Sequence, residues 1–214
     1  MSNLKALDDK IKLTEKRVLV RVDLNVPISN GKVSDNSKIK KITPLITNLI
    51  EKKAKIILIS HLGRPKGRFD KKLSLKPVAL ALQELMKTKI EFFEKSYGPE
   101  AIEKSKKIKP GEILLLENIR FNKEEELNTE SFSKELSKIG DIYINEAFAC
   151  SHRAHASVCE ITNHIDSFAG RMLIEEVNLI KMLTSNPQKP VTCIIGGSKI
   201  SSKIGILINL IKKV

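Results

Sequence analysis

Short apolar segments rich in branched side chains alternate along this chain with longer segments of helical periodicity. The apolar segments are 17–22, 55–60, 89–93, 112–116, 141–145 and 191–195, of which 89–93 is the weakest. Polar residues do not alternate regularly with apolar ones inside them, so both faces of each strand are expected to be buried. This pattern predicts a mostly parallel β-sheet.

The intervening segments have apolar residues at helical spacing. They cover residues 39–50, 74–85, 132–139, 173–183 and 200–211. Pro44 lies inside the first segment, so we expect that helix to begin near Pro44. Ser74 is a candidate N-cap for the second, and Gly140 ends the third. Strands and helices in alternation predict an α/β fold, a doubly wound sheet in a Rossmann-like three-layer arrangement.

A polar, proline-containing segment at 184–190 is the best candidate for a domain boundary. Only one strand and one helix are predicted after it, which is too little to bury its own apolar faces. We therefore predict a first domain at 1–172, an interdomain helix and hinge at 173–189, and the start of an incomplete second domain of the same type at 190–214.

The composition limits the classes of partner. Lysine and arginine number 38 against 25 acidic residues, giving a net charge of +13, but most of this charge is lysine scattered along the chain. Aromatic residues make up only 4%, which argues against a nucleic-acid binder built on stacking. No apolar run is long enough for a membrane helix, and three cysteines without metal spacing indicate a reducing, cytoplasmic location.

Polar residues follow the first two strands at the edge where parallel sheets bind ligands. Asp23 and Asn25 could bind a hydroxylated ligand, or they could form an ordinary Asx turn. His61, Gly63 and Arg64 could bind an anion through backbone amides and a guanidinium, or they could belong to a basic surface loop.

Two later strands also deliver an arginine to this edge, Arg120 and Arg153. His152 and His155 are three residues apart, but no further ligand cluster completes a zinc site, so we predict no metal site. We expect Arg153 to bind ligand and His152 to support it. Together with Arg64, the arginines from three strand-end loops predict a small substrate with several negative charges.

A glycine-rich segment opens the last predicted helix with Gly196, Gly197, Lys199 and Lys203. Amide groups at a helix N-terminus and two lysines four residues apart suit a phosphate group. The segment matches neither nucleotide-binding glycine motif, and a glycine-rich turn before a lysine-bearing helix explains it equally well.

Five motifs in this order closely resemble the phosphoglycerate kinase family. They are residues 21–27 (RVDLNVP), 61–65 (HLGRP), 115–121 (LLENIRF), 152–157 (HRAHAS) and 196–199 (GGSK). The resemblance extends from Arg17 to the last residue.

The resemblance implies a cytoplasmic, monomeric, hinge-bending enzyme of glycolysis. Such a phosphotransferase, with a carboxyl group as acceptor, transfers a phosphoryl group between 1,3-bisphosphoglycerate and ADP, giving 3-phosphoglycerate and ATP. The first domain, like residues 1–172, binds the phosphoglycerate, and the second binds Mg²⁺ with ADP or ATP. We expect the 214-residue chain alone to be inactive, and the alternative is a non-catalytic phosphoglycerate-binding module.

The resemblance also assigns roles residue by residue. The implied substrate-binding residues are Asp23, Asn25, Lys38, His61, Arg64, Arg120 and Arg153, supported by Arg21, Gly63 and His152. The implied nucleotide-binding residues are Gly196, Gly197, Lys199 and Lys203. Lys38 and Lys199 are the implied catalytic residues. Lys38 is a departure, because the family has an arginine there that touches the transferring phosphoryl group.

Overall fold

A computed structural model describes residues 4–8, 11–185, 187, 189–192, 194 and 204–211. The chain forms two compact units, Met1–Leu173 and Ile174–Val214. Within the described ranges, no helix is long and apolar enough to cross a membrane.

The first unit contains the strands and most of the helices. The strands are β1 (Arg17–Arg21), β2 (Ile28–Ser29), β3 (Lys32–Val33), β4 (Lys55–Ile59), β5 (Ile90–Phe93), β6 (Ile113–Leu116), β7 (Ile142–Asn145) and β8 (Ser167–Ala169). The helices are α1 (Ser37–Glu51), α2 (Lys76–Met86), α3 (Pro99–Lys107), α4 (Lys123–Glu126), α5 (Glu130–Ser137) and α6 (Arg171–Ser185), the last of which extends into the second unit.

Six strands form one sheet in the order β5-β6-β4-β1-β7-β8, and every neighbouring pair is parallel. Val18 of β1, for example, pairs with Ile56 on one side and Ile142 on the other. The predicted α/β class with a mostly parallel sheet is therefore confirmed. Because β6, β4, β1 and β7 are consecutive in the sheet, the loops that follow their carboxyl ends are neighbours.

The sheet is buried on both faces. Val18 and Val20 pack into one apolar cluster, which includes Ile39 and Ile46 of α1. Leu19 packs into a second cluster that includes buried residues of α5. Side chains of successive strand residues point to opposite faces, so an uninterrupted apolar segment is required where helices cover both.

Helix α1 begins earlier than predicted. It starts at Ser37, so Pro44 lies inside it and the predicted start near Pro44 was wrong. Proline has no N–H to donate to the carbonyl group of Lys40, four residues earlier. The hydroxyl of Thr43 donates to that oxygen instead, at 2.9 Å. The helix can therefore accommodate proline without leaving this acceptor unpaired.

The second unit contains the end of α6 and a short apolar helix, α7 (Ile204–Ile211). A strand was predicted at 191–195, but Val191, Thr192 and Ile194 belong to no strand, and residues 193 and 195 lie outside the described residues. A strand needs a neighbour to accept its backbone hydrogen bonds, and the described part of this unit has no other strand. Residues 200–203, predicted to begin the last helix, lie outside the described residues, and the incomplete second domain stays a prediction.

Candidate functional site

Arg21, the last residue of β1, lies at the centre of the carboxyl edge with a fully buried side chain. One terminal nitrogen donates to the carbonyl oxygen of Val22 at 2.6 Å, and Nε donates to Oγ of Ser157 at 3.0 Å. The other terminal nitrogen lies 3.1 Å from Nδ1 of His61 and 3.8 Å from Sγ of Cys150. Arg21 thus joins the loops after β4 and β7 to the central strand.

His61 follows β4 and is buried among cations. Burial lowers the pKa of its imidazole to about 2, and neighbouring positive charges contribute in the same direction. Those charges belong to Arg21, Arg120, Arg153 and Lys38. His61 is therefore neutral at physiological pH. His61 and these four cations are all predicted site residues, so the structure brings five of them into one neighbourhood.

Arg120 lies in a short 3-10 turn after β6, where Oδ1 of Asn118 accepts from its backbone N–H at 3.1 Å. Its side chain is only 2% exposed. One terminal nitrogen donates to the carbonyl oxygen of Gly63 at 3.0 Å, whereas Nε and the other terminal nitrogen form no hydrogen bond. Glu126 lies 3.5 Å from Nε at ion-pair distance. Burial and the charge of Arg153 lower the pKa of Arg120, but a guanidinium stays protonated in proteins.

The loops after β1 and β4 are joined through Asn25. Oδ1 of Asn25 accepts from the N–H of Gly63 at 2.9 Å, and the N–H of Asn25 donates to Oδ1 of Asp23 at 3.0 Å. The second contact is an Asx turn. The other carboxylate oxygen of Asp23 is 2.8 Å from Nζ of Lys38. Gly63 has a φ of +62°, a backbone conformation that favours glycine, and an added Cβ would lie 2.7 Å from the movable end of the Leu73 side chain.

The remaining predicted residues differ in their surroundings. Arg153 is half-buried, and its Nε donates to Nε2 of exposed His152 at 3.1 Å. Arg64 is exposed and forms no hydrogen bond or ion pair with any described residue. The predicted nucleotide-binding residues Gly196, Gly197, Lys199 and Lys203 lie outside the described residues.

Buried acidic residues beneath these loops were not predicted. Glu117 accepts from the hydroxyl of Ser74 at 2.6 Å and from the N–H of Leu75 at 2.8 Å, which anchors the start of α2. Glu125 accepts from both the hydroxyl and the N–H of Ser157. Glu117 directly follows an apolar strand, and this position could have identified it from the sequence. Glu125 lies in a run of three glutamates, a pattern typical of a solvated helix.

The histidines that were considered as metal ligands are in different environments. His155 is buried with Nδ1 3.8 Å from Glu125, whereas His152 is exposed beside Arg153. Among the residues that the structure describes, no group of three or more histidine, cysteine or acidic side chains could hold a metal ion.

Comparison with known proteins identifies the relatives of this chain. The phosphoglycerate kinase family model matches residues 8–214. The phosphoglycerate kinase of Leptospira biflexa is 50% identical over 202 residues, covering 94% of this chain and 51% of the relative. The one from Orientia tsutsugamushi is 46% identical over 213 residues and is covered to 52%. The chain spans about half the length of these relatives.

Solved structures give the same result. Phosphoglycerate kinase from Coxiella burnetii superposes with a TM-score of 0.86 at 38% identity, over 99% of this chain and 53% of that one. The enzyme from Pyrococcus horikoshii gives a TM-score of 0.88 at 30% identity, over 95% and 52%. With a parallel sheet, a cation-rich carboxyl edge and a family match over almost its whole length, the chain belongs to the phosphoglycerate kinase family.

Proposed function

We propose that this chain is the phosphoglycerate-binding part of a phosphoglycerate kinase and that 3-phosphoglycerate binds at the carboxyl edge of the sheet. The observation that carries the proposal is the buried guanidinium of Arg120, which has two nitrogens without a hydrogen-bond partner. Buried donors are normally hydrogen-bonded, and a guanidinium binds carboxylate or phosphate oxygens most strongly. Arg21, His61 and Arg153 lie in the same electrostatic neighbourhood.

The proposed roles follow from these contacts. Arg120, Arg153 and Arg64 supply positive charge to the phosphate and carboxylate groups, because their side chains have nitrogens not occupied by other described residues. Asp23 and Asn25 bind the glycerate hydroxyl group. The hydrogen bonds described above give three further residues a supporting role. Arg21 supports His61, Gly63 supports Arg120, and His152 supports Arg153.

Phosphoryl transfer between 1,3-bisphosphoglycerate and ADP would use this surface for positioning and charge neutralisation, which contribute most of the catalysis in such reactions. Lys38 is proposed to contact the transferring phosphoryl group. The phosphates of the nucleotide, which binds as its Mg²⁺ complex, are proposed to contact Gly196, Gly197, Lys199 and Lys203. The interdomain role of 173–189, the monomeric state and the cytoplasmic location stay predictions.

Titration calorimetry of the 214-residue chain tests the proposed site. We expect 3-phosphoglycerate to bind with a dissociation constant in the high micromolar to millimolar range, and glycerate and inorganic phosphate to bind more weakly, because each offers only part of the ligand. Equal binding of all three would show a general anion surface, and no binding of 3-phosphoglycerate would overturn the proposal.

A coupled assay tests whether this chain transfers a phosphoryl group on its own, and it bears on the alternative, a binding module without transfer activity. We expect the 214-residue chain to form no ATP from 1,3-bisphosphoglycerate and ADP on its own. Turnover comparable with that of a full-length relative would show that this chain contains the whole machinery. Binding without turnover is expected both for part of a kinase and for a binding module. The two are separated by joining the chain to the C-terminal half of a relative: ATP formation by the joined protein would support the kinase, and continued inactivity would support the binding module.

A further inference from the structure

A continuous chain of buried hydrogen bonds connects Glu125 to His61. The carboxylate of Glu125 is fully buried, and it accepts from Oγ of Ser157 at 2.6 Å and from the N–H of Ser157 at 2.8 Å. Ser157 Oγ also lies 3.0 Å from Nε of Arg21. Arg21 in turn lies 3.1 Å from Nδ1 of His61. Four side chains from separate parts of the sequence thus form one network.

The chemistry of these groups determines the direction of every hydrogen bond. A carboxylate only accepts and a guanidinium only donates. The single hydroxyl hydrogen of Ser157 therefore points to Glu125, and its oxygen accepts from Arg21. By the same reasoning Nδ1 of His61 accepts from Arg21 and carries no proton. In a neutral imidazole, the proton must then be on Nε2.

We propose that Glu125 and Ser157 are positioning residues that, through Arg21, hold His61 as the neutral tautomer with its proton on Nε2. In this tautomer His61 can donate a hydrogen bond to an oxygen of the substrate, and it cannot do so through Nδ1. The role toward phosphoglycerate rests on the proposed function. The tautomer itself is a property of the ligand-free chain.

One further contact and the lack of an ion pair at Arg21 support this assignment. The hydroxyl of Tyr143 donates to the carbonyl oxygen of Ser157 at 2.6 Å, which fixes the serine backbone beneath Arg21. No carboxylate of the described residues forms an ion pair with Arg21, so Glu125 offers negative charge to Arg21 through one hydroxyl group. Buried charges need such compensation because water cannot solvate them.

A purely structural role for Glu125 is the alternative. Its carbonyl oxygen accepts from the N–H of Ala156 at 2.8 Å, so the residue also anchors the segment after β7 to α4. An anchoring role would affect stability and leave the imidazole nitrogens of His61 unchanged. The test must therefore observe the tautomer directly.

Nitrogen-15 NMR of the imidazole groups provides that observation on the ligand-free 214-residue chain at neutral pH. We expect His61 to show a pyridine-like Nδ1 and a pyrrole-like Nε2, together with a slowly exchanging Arg21 Nε–H. In Ser157→Ala we expect the Nδ1 resonance to shift toward the position of mixed tautomers and the Arg21 Nε–H to lose its protection. A protonated Nδ1 in the unmodified chain would overturn the proposal.

Glu125→Gln tests the acidic end of the network. The two groups of Ser157 donate to different oxygens of Glu125, and in glutamine one of these positions is an NH2 group that only donates. The negative charge that Glu125 offers to Arg21 through the serine hydroxyl is also lost, so we expect a spectral change in the same direction as in Ser157→Ala. Glu117→Gln is the matched control, because Glu117 accepts from a serine hydroxyl and a backbone N–H at the same distances of 2.6 and 2.8 Å but is not bonded to Ser157. Ser133→Ala removes another buried serine hydroxyl, bonded to the carbonyl oxygen of Ala156 at 3.3 Å.

Both controls are expected to keep the His61 signature. An unchanged signature in Ser157→Ala would also overturn the proposal, even if Glu125→Gln failed to fold. Calorimetry with 3-phosphoglycerate is read separately, and we expect Ser157→Ala to weaken binding by about threefold to tenfold. Absence of binding in the unmodified chain would contradict the proposed function while leaving the tautomer result interpretable.

Discussion

The ammonium group of Lys38 lies 2.8 Å from Oδ2 of Asp23, so the residue predicted to touch the transferring phosphoryl group is paired with a residue predicted to bind the glycerate hydroxyl. The side chain of Asp23 is 15% exposed and that of Lys38 is 42% exposed. An ammonium group acts as a point charge, whereas the planar guanidinium of arginine can bind two oxygens at once. The single ammonium group of a lysine at this position must therefore interact with both Asp23 and a ligand.

We predict that Lys38→Arg raises kcat by about threefold to tenfold and changes KM less. The reason is that a guanidinium can stay paired with Asp23 and still donate a hydrogen bond to a phosphoryl oxygen. The measurement is steady-state kinetics on this chain joined to the C-terminal half of a relative. Lys40→Arg is the control, since Lys40 is an exposed residue of the same helix. An equal or lower kcat would show that the loop is adapted to lysine.

Removal of any one of the arginines Arg64, Arg120 and Arg153 is expected to weaken binding of 3-phosphoglycerate more than about tenfold, since a hydrogen bond to a charged group contributes about 1.5–3 kcal/mol. Calorimetry on the three alanine variants measures this loss, and thermal melting verifies that each is folded. Arg68→Ala serves as the control because Arg68 is exposed in the same loop as Arg64. Unchanged affinity in all three variants would remove the proposed site.

The central strands were predictable because their apolar residues are consecutive. Residues 17–22 and 55–60 became β1 and β4, each one residue shorter. Strand β8 and the β2–β3 pair were not predicted, because segments of two or three residues have too few side chains to show a pattern. Tertiary pairing, not local preference, stabilises such strands.

The position of the candidate site residues on one edge of the sheet was predictable to the extent that their loops follow parallel strands. Arg120 and Arg153 were predicted to lie there because the loops that follow parallel strands meet at one edge, and their role in binding stays a prediction. Glu125 and Ser157 could not be found this way, since they are 32 positions apart and meet only in the folded chain. Gly63 was part of a sequence motif, but its positive φ of +62° and the Leu73 side chain that an added Cβ would meet could be seen only in the structure.

Gly67 and Gly31 allow a comparison of steric overlap with backbone strain. Both have positive φ, +71° and +72°, but an added Cβ would lie 2.9 Å from Cα of Lys123 at Gly67 and would meet nothing within 4 Å at Gly31. We predict that Gly31→Ala lowers the free energy of unfolding by about 1–2 kcal/mol. Gly67→Ala should lower the free energy of unfolding by about 1–3 kcal/mol more than Gly31→Ala, because the backbone at Lys123 must move to make room for the added Cβ. Urea unfolding measures both, and equal losses would contradict the overlap.

Asp141 should make stability depend on acidic pH. Burial raises the pKa of its carboxyl group, but hydrogen bonds from the side chain and N–H of Arg17 outweigh burial and lower the pKa below its usual 3.8. Because the folded state prefers the ionised form, this stabilisation is present above about pH 4 and is lost as the pH falls through the folded pKa.

We predict that Asp141→Asn lowers the free energy of unfolding by about 1 kcal/mol at neutral pH, a value reduced by partial exposure. Urea unfolding across this range should show the difference from the unmodified chain closing below about pH 4. Asp166→Asn is the control, because its ion pair with Lys5 is more than half exposed and should contribute little. A difference that stays constant with pH would mean that Asp141 stabilises the fold without its charge.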